Sequence, residues 1–416
     1  MRTVNGESSG SSYRWYVLTL AALTFTFVVG MPMMCMPVLF EEISDDLDLS
    51  LVQIGTIWGV VPLAGAFVVL IGGMLGDRFG AKRVLIAACF LAGLAGALRG
   101  LSDGFLTLVA TLFLFGLVTA IIPPVVHKAC GVWFPGRRLG LANGVASTGM
   151  AVGFTLGALI SATVLSPLLD GWRNVLFLYG AISVMISVFW ILTRSEPGQA
   201  ESSASYAGAV PFRQALSRVF RIRDVWLLGF VLMGQIGCVQ GVFGYLPLYL
   251  RDIGWTGASA DGALAAFHAT SMVGVVPIAL LSDRLGSRKA VLFGATLLLG
   301  IGVGLLSVSG GAMVWVSVII AGFVRDAFMA VLMSTIIETK GVGAAYAGTA
   351  MGLVLTLSRL SAFASPPIGN SLADVDASLP FVFWAALAAV ALLFFYFMRQ
   401  ERTEVKVVTS AAGEDA

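Results

Sequence analysis

Charge is scarce in this sequence. Asp, Glu, Lys and Arg make up 12% of its 416 residues against 58% hydrophobic residues, and the mean hydropathy is +0.93. A soluble domain carries roughly 25% charge, so most of this chain is expected to be solvated by a lipid bilayer. A net charge of only +2 gives no basis for a nucleic-acid partner. There are just two histidines and no Cys/His cluster, which excludes the usual structural metal site. The four cysteines, Cys35, Cys89, Cys130 and Cys238, all fall in apolar segments and read as small packing residues rather than disulfides. Also missing are a nucleotide-binding Gly-rich loop feeding a soluble domain and any nucleophile–base constellation, so neither an enzyme nor a cofactor is expected. The first apolar stretch, from Tyr13 to about Ile43, lacks a short h-region and a small-residue cleavage site, and reads as an uncleaved span rather than a signal peptide.

Long apolar runs dominate what is present. A bilayer needs roughly 20 mostly apolar residues per helix. Candidate spans fall at about 15–41, 51–75, 84–102, 105–127, 139–166, 173–193, 225–250, 259–281, 289–308, 312–336, 343–370 and 379–398. The predicted class is an all-α membrane protein of twelve transmembrane helices in two pseudo-symmetric six-helix halves, 13–194 and 225–398. Residues 1–12 and 399–416 read as disordered tails. Residues 195–224 read as a linker that ends in a basic surface helix carrying Arg213, Arg218, Arg221 and Arg223. Most Lys and Arg fall on the side of the even-numbered loops and the termini; the other side has Arg173 and Arg251, with Arg99 near its edge, where it is expected to snorkel to the headgroups. The positive-inside rule then places both termini and the linker in the cytoplasm of an inner or plasma membrane. The acidic cluster Glu41, Glu42, Asp45, Asp46 and Asp48 is expected to be a solvated outer loop rather than an ion site.

The halves are related by an internal repeat. Residues Gly73 to Leu85 contain Asp77-Arg78, Gly80, Lys82 and Arg83, and residues Ala279 to Val291 contain Asp283-Arg284, Gly286, Arg288 and Lys289. The two aspartates are separated by 206 residues (283 minus 77). A tight Gly turn carrying fixed charges thus joins two spans in each half. This closely resembles the loop between the second and third helices of the major facilitator superfamily and its weaker repeat between the eighth and ninth. The resemblance implies rocking-type solute transport. It also implies that Asp77, Arg78, Arg83, Asp283 and Arg284 act in conformational gating as a cytoplasmic charge lock, and that the first, fourth, seventh and tenth helices line a central cavity flanked by the second, fifth, eighth and eleventh.

Residues Val132 to Gly149, with the basic turn Arg137-Arg138 and a small-residue face of Gly140, Asn143, Gly144 and Ser147, are similar to the corresponding region of monocarboxylate porters, oxalate/formate exchangers and anion:cation symporters. That face is expected to allow close packing and sliding. Glycines continue at four-residue spacing through Gly149, Gly153 and Gly157; Phe154 follows Gly153, so the Gly-Pro pair of drug/proton antiporters is absent. Pro123-Pro124 and Pro366-Pro367 are expected to shape kinks.

Charges inside spans are costly and normally face water or a partner. Arg325 and Asp326 lie near the middle of the tenth span, Arg359 of the eleventh, and His268 in the eighth. They suggest a cationic pocket for a small anion, since a guanidinium stays charged and can hold a carboxylate through two hydrogen bonds. Adjacent helical residues project about 100° apart, so Arg325 and Asp326 are not expected simply to neutralise each other; the plainer alternative pairs Asp326 with Arg359 as a structural lock. Substrate contacts are assigned to Arg325, Arg359, His268, Gln235, Tyr245 and Thr119, with Trp58 and Phe243 as an apolar wall. Proton coupling falls to Asp326 and His268. Thr119 stands where the repeat shift would place Arg325, making the anion-holding charge asymmetric. The favoured function is secondary transport of a small, monocarboxylate-like organic anion by a monomer, through proton symport or anion exchange. The alternatives are proton-coupled efflux of drugs or amphipathic metabolites, and a transporter-like solute sensor.

Overall fold

The computed structural model describes residues 7–134, 136–194, 212–308 and 310–398. Among these residues, twelve helices are long and apolar enough to cross a membrane. They are α1 (Tyr13–Leu47, continuing a helix that begins at Glu7), α2 (Leu51–Phe79), α3 (Ala81–Leu98), α4 (Phe105–Trp133), α5 (Leu139–Leu168) and α6 (Trp172–Ile191), then α7 (Arg223–Asp252), α8 (Gly257–Leu285), α9 (Arg288–Leu306), α10 (Ala312–Glu338), α11 (Gly343–Ser371) and α12 (Leu379–Phe397). Residues 1–6 and 399–416, expected as tails, and 195–211 of the linker lie outside the described residues; the rest of the linker contains a short helix, Phe212–Val219.

Local chemistry sets the helix ends. Ser50 and Gln53 form a reciprocal capping box at the start of α2 (3.3 and 2.9 Å), and the Thr256 and Ser287 hydroxyls accept from the third residues of α8 and α9. Gly80 and Gly286 turn the chain between α2 and α3 and between α8 and α9 with φ of 81° and 60°, the left-handed region that favours glycine. The helix of α4 is interrupted at Ala120 and resumes with Pro123 in its first turn, where the missing N–H does no harm. π-Helical turns interrupt α1 at Phe25–Gly30 and α5 at Ser161–Leu165.

Two sequence boundaries need correction. Helix α1 runs to Leu47 and closes at Asp48, whose φ is 50°, so Glu41, Glu42, Asp45 and Asp46 are helical rather than loop residues. Helix α4 runs to Trp133 and takes in His127 and Lys128.

Within the first half, α1 and α5 pack through glycine. The Thr26 hydroxyl donates to the Gly149 carbonyl at 2.7 Å, and a Cβ at Gly153 would stand 2.6 Å from the Thr26 carbonyl oxygen. Gly157 meets Met31 in the same way, while Ala142 and Ala146 are fully buried. Of the small-residue face expected to pack, Gly140, Gly144 and Ser147 are instead exposed, with nothing within 4 Å of a Cβ at either glycine, while Asn143 is half-buried and hydrogen-bonds His127 of α4 at 3.1 Å. Gly153→Val would force two backbones apart. It is expected to lower stability by about 1–3 kcal/mol, the usual cost of overpacking, whereas Gly144→Val is expected to leave it unchanged; thermal unfolding of both variants in detergent is the check.

Across the boundary between halves, α2 runs along α11 and α5 along α8. Gly55 lies on Pro366-Pro367, Gly59 on the Phe363 backbone and Gly244 on Trp58, close approaches that a Cβ would block. The Asn370 side chain donates to the Leu51 carbonyl at 2.8 Å. These contacts lie toward the face opposite the termini, here the distal face. On α5, Phe154 meets His268 of α8 at 5.3 Å, and Ser147, Gly144 and Gly140 continue that helical face toward the termini without a neighbour. The halves therefore touch at the distal face and part at the face bearing the termini.

Candidate functional site

The polar residues buried between the halves gather on α7, α8 and α10. The Arg325 guanidinium lies 5.4 Å from the centre of the Phe243 ring, and that ring meets His268 at a tilt, 4.5 Å between centres, and Phe267 edge to face at 5.0 Å. Phe154 of the first half also packs against His268, at 5.3 Å. His268 is 1% exposed, and among the described residues neither ring nitrogen has a hydrogen-bond partner; the same holds for the side-chain amide atoms of Gln235 and for the amide nitrogen of Gln240. Buried polar groups are nearly always paired, which sets these side chains apart from the rest of the interior.

Arg325 and Asp326 do neutralise each other, contrary to expectation, through a 2.7 Å ion pair. The 100° between adjacent Cβ vectors is overcome by the length of the arginine side chain, which curls back to its neighbour. Asp326 is thereby engaged by Arg325 rather than by Arg359, so the expected interhelical lock does not form in this state. The Asp326 backbone N–H also donates to the Ser271 hydroxyl at 3.1 Å, tying α10 to α8.

Arg359 reaches the other way. Its Nη1 would be 3.5 Å from a Cβ at Gly65 of α2, and the same point lies 3.5 Å from Ala120 at the break in α4. Among the described residues it has no carboxylate or hydrogen-bond partner, which makes it the uncompensated cation between the halves. Thr119, next to Ala120, turns its hydroxyl onto its own helix, donating to the Phe115 carbonyl at 2.7 Å.

Tyr245 stands apart. Its hydroxyl donates to the Ala377 carbonyl at 3.0 Å and its ring packs among Tyr249, Phe381 and Trp384, so it braces α7 against α12 instead of joining Arg325. Trp58 likewise belongs to the distal closure: its indole N–H donates to the Gln240 carbonyl at 2.8 Å, so only Phe243 of the expected wall faces Arg325.

Three arrangements escaped the sequence reading. At the distal face Arg251 of α7 joins Glu41 of α1 (Nε to carboxylate, 2.8 Å) and Asp261 of α8 (Nη2, 2.6 Å). Asp261 is 0% exposed, with one carboxylate oxygen unpaired. Glu42 accepts from Ser166 and Asp46 pairs with Arg173, so three members of the acidic cluster, Glu41, Glu42 and Asp46, are fastened, while Asp45 and Asp48 are exposed as expected. Arg99 does not snorkel: it is 0% exposed, donates to the Pro32 carbonyl at 2.8 Å and to the Gly96 carbonyl at 3.1 Å, and stacks on Phe115 at 4.0 Å. The Pro32 carbonyl of α1 and the Phe115 ring of α4 receive it inside the bundle.

The third arrangement concerns gating. Arg78, Arg83, Asp283 and Arg284 are exposed, with Asp283 3.4 Å from Arg288, while the Asp77 side chain lies outside the described residues. Among the described residues, three lysines and Arg288 fasten this face. Lys82 donates to the Thr193 carbonyl beyond α6, Lys289 donates to the Met398 carbonyl beyond α12 at 2.6 Å, and Lys128 donates to the Gly76 carbonyl at the end of α2 at 2.7 Å. Arg288 grips Glu338 of α10 with two bonds of 2.6 and 2.8 Å. The matched positions of Lys82 and Lys289 in the repeat were the sequence signal for this.

Two six-helix bundles that meet at one face and part at the other, with polar groups between them, have the architecture of a membrane transporter. The chain belongs to the Major Facilitator Superfamily, whose family model matches residues 19–366. It is 27% identical over 395 residues to a probable sulfoacetate transporter of Cupriavidus necator, covering 86% of this chain and 87% of that one. It is 24% identical to a 4-hydroxybenzoate transporter of Pseudomonas aeruginosa, covering 68% and 69%. Among solved structures it superposes on the nucleoside transporter NupG with a TM-score of 0.78 at 12% identity (92% of this chain, 99% of that chain). It also superposes on a bacterial homolog of the human lysosomal transporter Spinster, in an inward-facing, occupied conformation, with a TM-score of 0.72 at 16% identity (92% and 96%).

Proposed function

We propose that this protein carries a small, monocarboxylate-like organic anion across the membrane by alternating access, through proton symport or anion exchange. The observation that carries this reading is Arg359: a guanidinium within a span, between the halves, with no acidic partner among the described residues. Such a charge calls for an anion, and its planar fork suits a carboxylate. Arg325, its charge balanced by Asp326, supplies a second hydrogen-bonding arm. Phe243 and Phe154 offer the apolar part of the solute a surface, and His268 and Gln235 offer hydrogen bonds. Relatives named for sulfoacetate, 4-hydroxybenzoate and cis,cis-muconate support an organic acid as cargo.

Asp326 is the proton carrier in the symport form. It holds Arg325 when ionised and would release it when protonated, and His268 beside it is the second titratable group. With the termini and linker on the cytoplasmic side, the state described here opens inward. The protein acts as a monomer, since each chain contains both halves of the pathway.

The test is uptake into proteoliposomes of labelled lactate, pyruvate, acetate, formate, oxalate, 4-hydroxybenzoate and sulfoacetate, with and without an inward proton gradient. Saturable uptake of at least one acid is expected, and dependence on the gradient separates symport from exchange. No uptake of any anion, with cationic dyes expelled instead, would replace this reading with efflux.

A further inference from the structure

A second cationic site lies away from the transport path, where the short linker helix meets the turn between α10 and α11. Gln214, Ser217, Arg218, Arg221, Gly341 and Tyr346 line a cleft of about 700 Å³. Ala215 and Val219 are buried beneath it, so the linker helix sits on α11 by its apolar side, and Arg218 and the following Arg221 are exposed. The Arg218 guanidinium rests 5.2 Å from the Tyr346 ring centre, a contact that restrains it without consuming its hydrogen-bond donors.

The carboxylates nearby are otherwise occupied. Glu338, at the end of α10, is taken by both arms of Arg288. Asp224 sits in the first turn of α7, where the helix dipole favours a negative charge. Among the described residues neither Arg218 nor Arg221 has an acidic partner. Two guanidinium groups, a serine hydroxyl and a glutamine amide around one cleft match the oxygens of a phosphate group.

The surroundings say what bears that phosphate. Phe220 is exposed at the end of the linker helix and packs at 5.3 Å on Trp226, whose indole N–H donates to the Phe220 carbonyl at 2.9 Å. Ile337 of α10 is exposed as well. Aromatic residues of this kind mark the headgroup level of a bilayer, so the cleft opens where phosphate meets acyl chain. We infer that this cleft binds the phosphate of an anionic lipid headgroup, with the acyl chains descending past Phe220 and Ile337. A lipid seated there would hold the linker against the second half and leave the first half to move.

The test uses the full-length protein in detergent, titrated with phosphatidylglycerol, phosphatidylcholine and soluble glycerol phosphate and read by native mass spectrometry. Phosphatidylglycerol is expected to bind saturably and in preference to both others. The exposed pair change Arg218→Gln/Arg221→Gln should weaken it by about fivefold per arginine, the factor for one surface cation near an anionic headgroup. Arg218→Lys/Arg221→Lys should retain most of the binding, and Arg223→Gln, outside the cleft, should change nothing. Equal binding of the two lipids, or phosphatidylglycerol binding unaltered in the double glutamine variant, would overturn the site. An equal loss in Arg223→Gln would show diffuse attraction and overturn it too, and glycerol phosphate binding as tightly as the lipid would reassign the cleft to a soluble phosphate.

Discussion

Arg359→Ala is expected to abolish anion uptake while leaving the protein folded. The guanidinium lies between α11, α2 and α4 with no carboxylate to satisfy among the described residues, so its removal strands no buried partner and relieves the cost of holding a lone charge inside a span. Losing the charge that pairs with a bound anion costs about 2–5 kcal/mol, equivalent to a fall in kcat/KM of roughly 30-fold to several thousandfold. Arg359→Lys keeps the charge but not the fork, and should fall between wild type and alanine. Arg325 behaves differently because its charge is already balanced. Arg325→Ala leaves Asp326 to repel the substrate, and the double change Arg325→Ala/Asp326→Ala should restore part of what the single change removes. Initial uptake rates in proteoliposomes, normalised to reconstituted protein, measure all four variants. If Arg359→Ala transports at the wild-type rate, the cation that selects the anion lies elsewhere.

Arg251→Leu should produce the largest loss of stability of any single change considered for this chain. It leaves Asp261 fully buried without its counter-charge and at the same time cuts the tie to Glu41 in the other half. Breaking a buried ion pair from one side costs about 3–5 kcal/mol, whereas replacing both partners with apolar residues is often close to neutral. Arg251→Leu/Asp261→Leu should therefore unfold at a higher temperature than Arg251→Leu alone. Glu41→Gln removes a half-exposed partner and should hardly alter stability. Its effect belongs to the conformational equilibrium, since the Glu41 arm spans the two halves beside the longer contact of Arg251 with the Val38 carbonyl (3.4 Å), and a spin-label distance across the distal face should shift toward the open value. A single leucine variant as stable as the double would mean that Asp261 finds another partner or is already protonated.

The spans and the duplication were legible because hydropathy reports the preference for lipid directly, and a Gly turn flanked by fixed charges is hard to imitate by chance. Boundaries failed where charged residues continue a helix past the apolar stretch, at Glu41 to Asp46 and at His127-Lys128. Hydropathy measures transfer into lipid, whereas helix continuation is set by backbone hydrogen bonding, and the two part company at helix ends. At the site, the residue types could be read but their partners could not. Arg325 and Arg359 both read as substrate cations, with an Asp326–Arg359 lock as the plainer alternative; the Arg325–Asp326 pair that forms instead depends on a side chain curling back to its neighbour, which helical projection alone does not capture. Arg99 went inward because a different helix, α1, left the Pro32 carbonyl within reach. Asp261 was overlooked at the end of a span because its meaning comes from Arg251 and Glu41, one on the preceding helix and one in the opposite half.

The two lysine contacts at the ends of α6 and α12 carry a wider implication. Lys82 and Lys289 occupy matching places in the repeat, and each fastens the last carbonyl region of its own six-helix unit. Within the same repeat, threonine stands at position 119 where arginine stands at position 325. A fastening contact is thus present in both units of this chain, while the arginine proposed to meet the cargo is present in one. A carrier assembled this way can exchange one cargo for another by altering a few inward-facing side chains of one unit, without relearning how to fold.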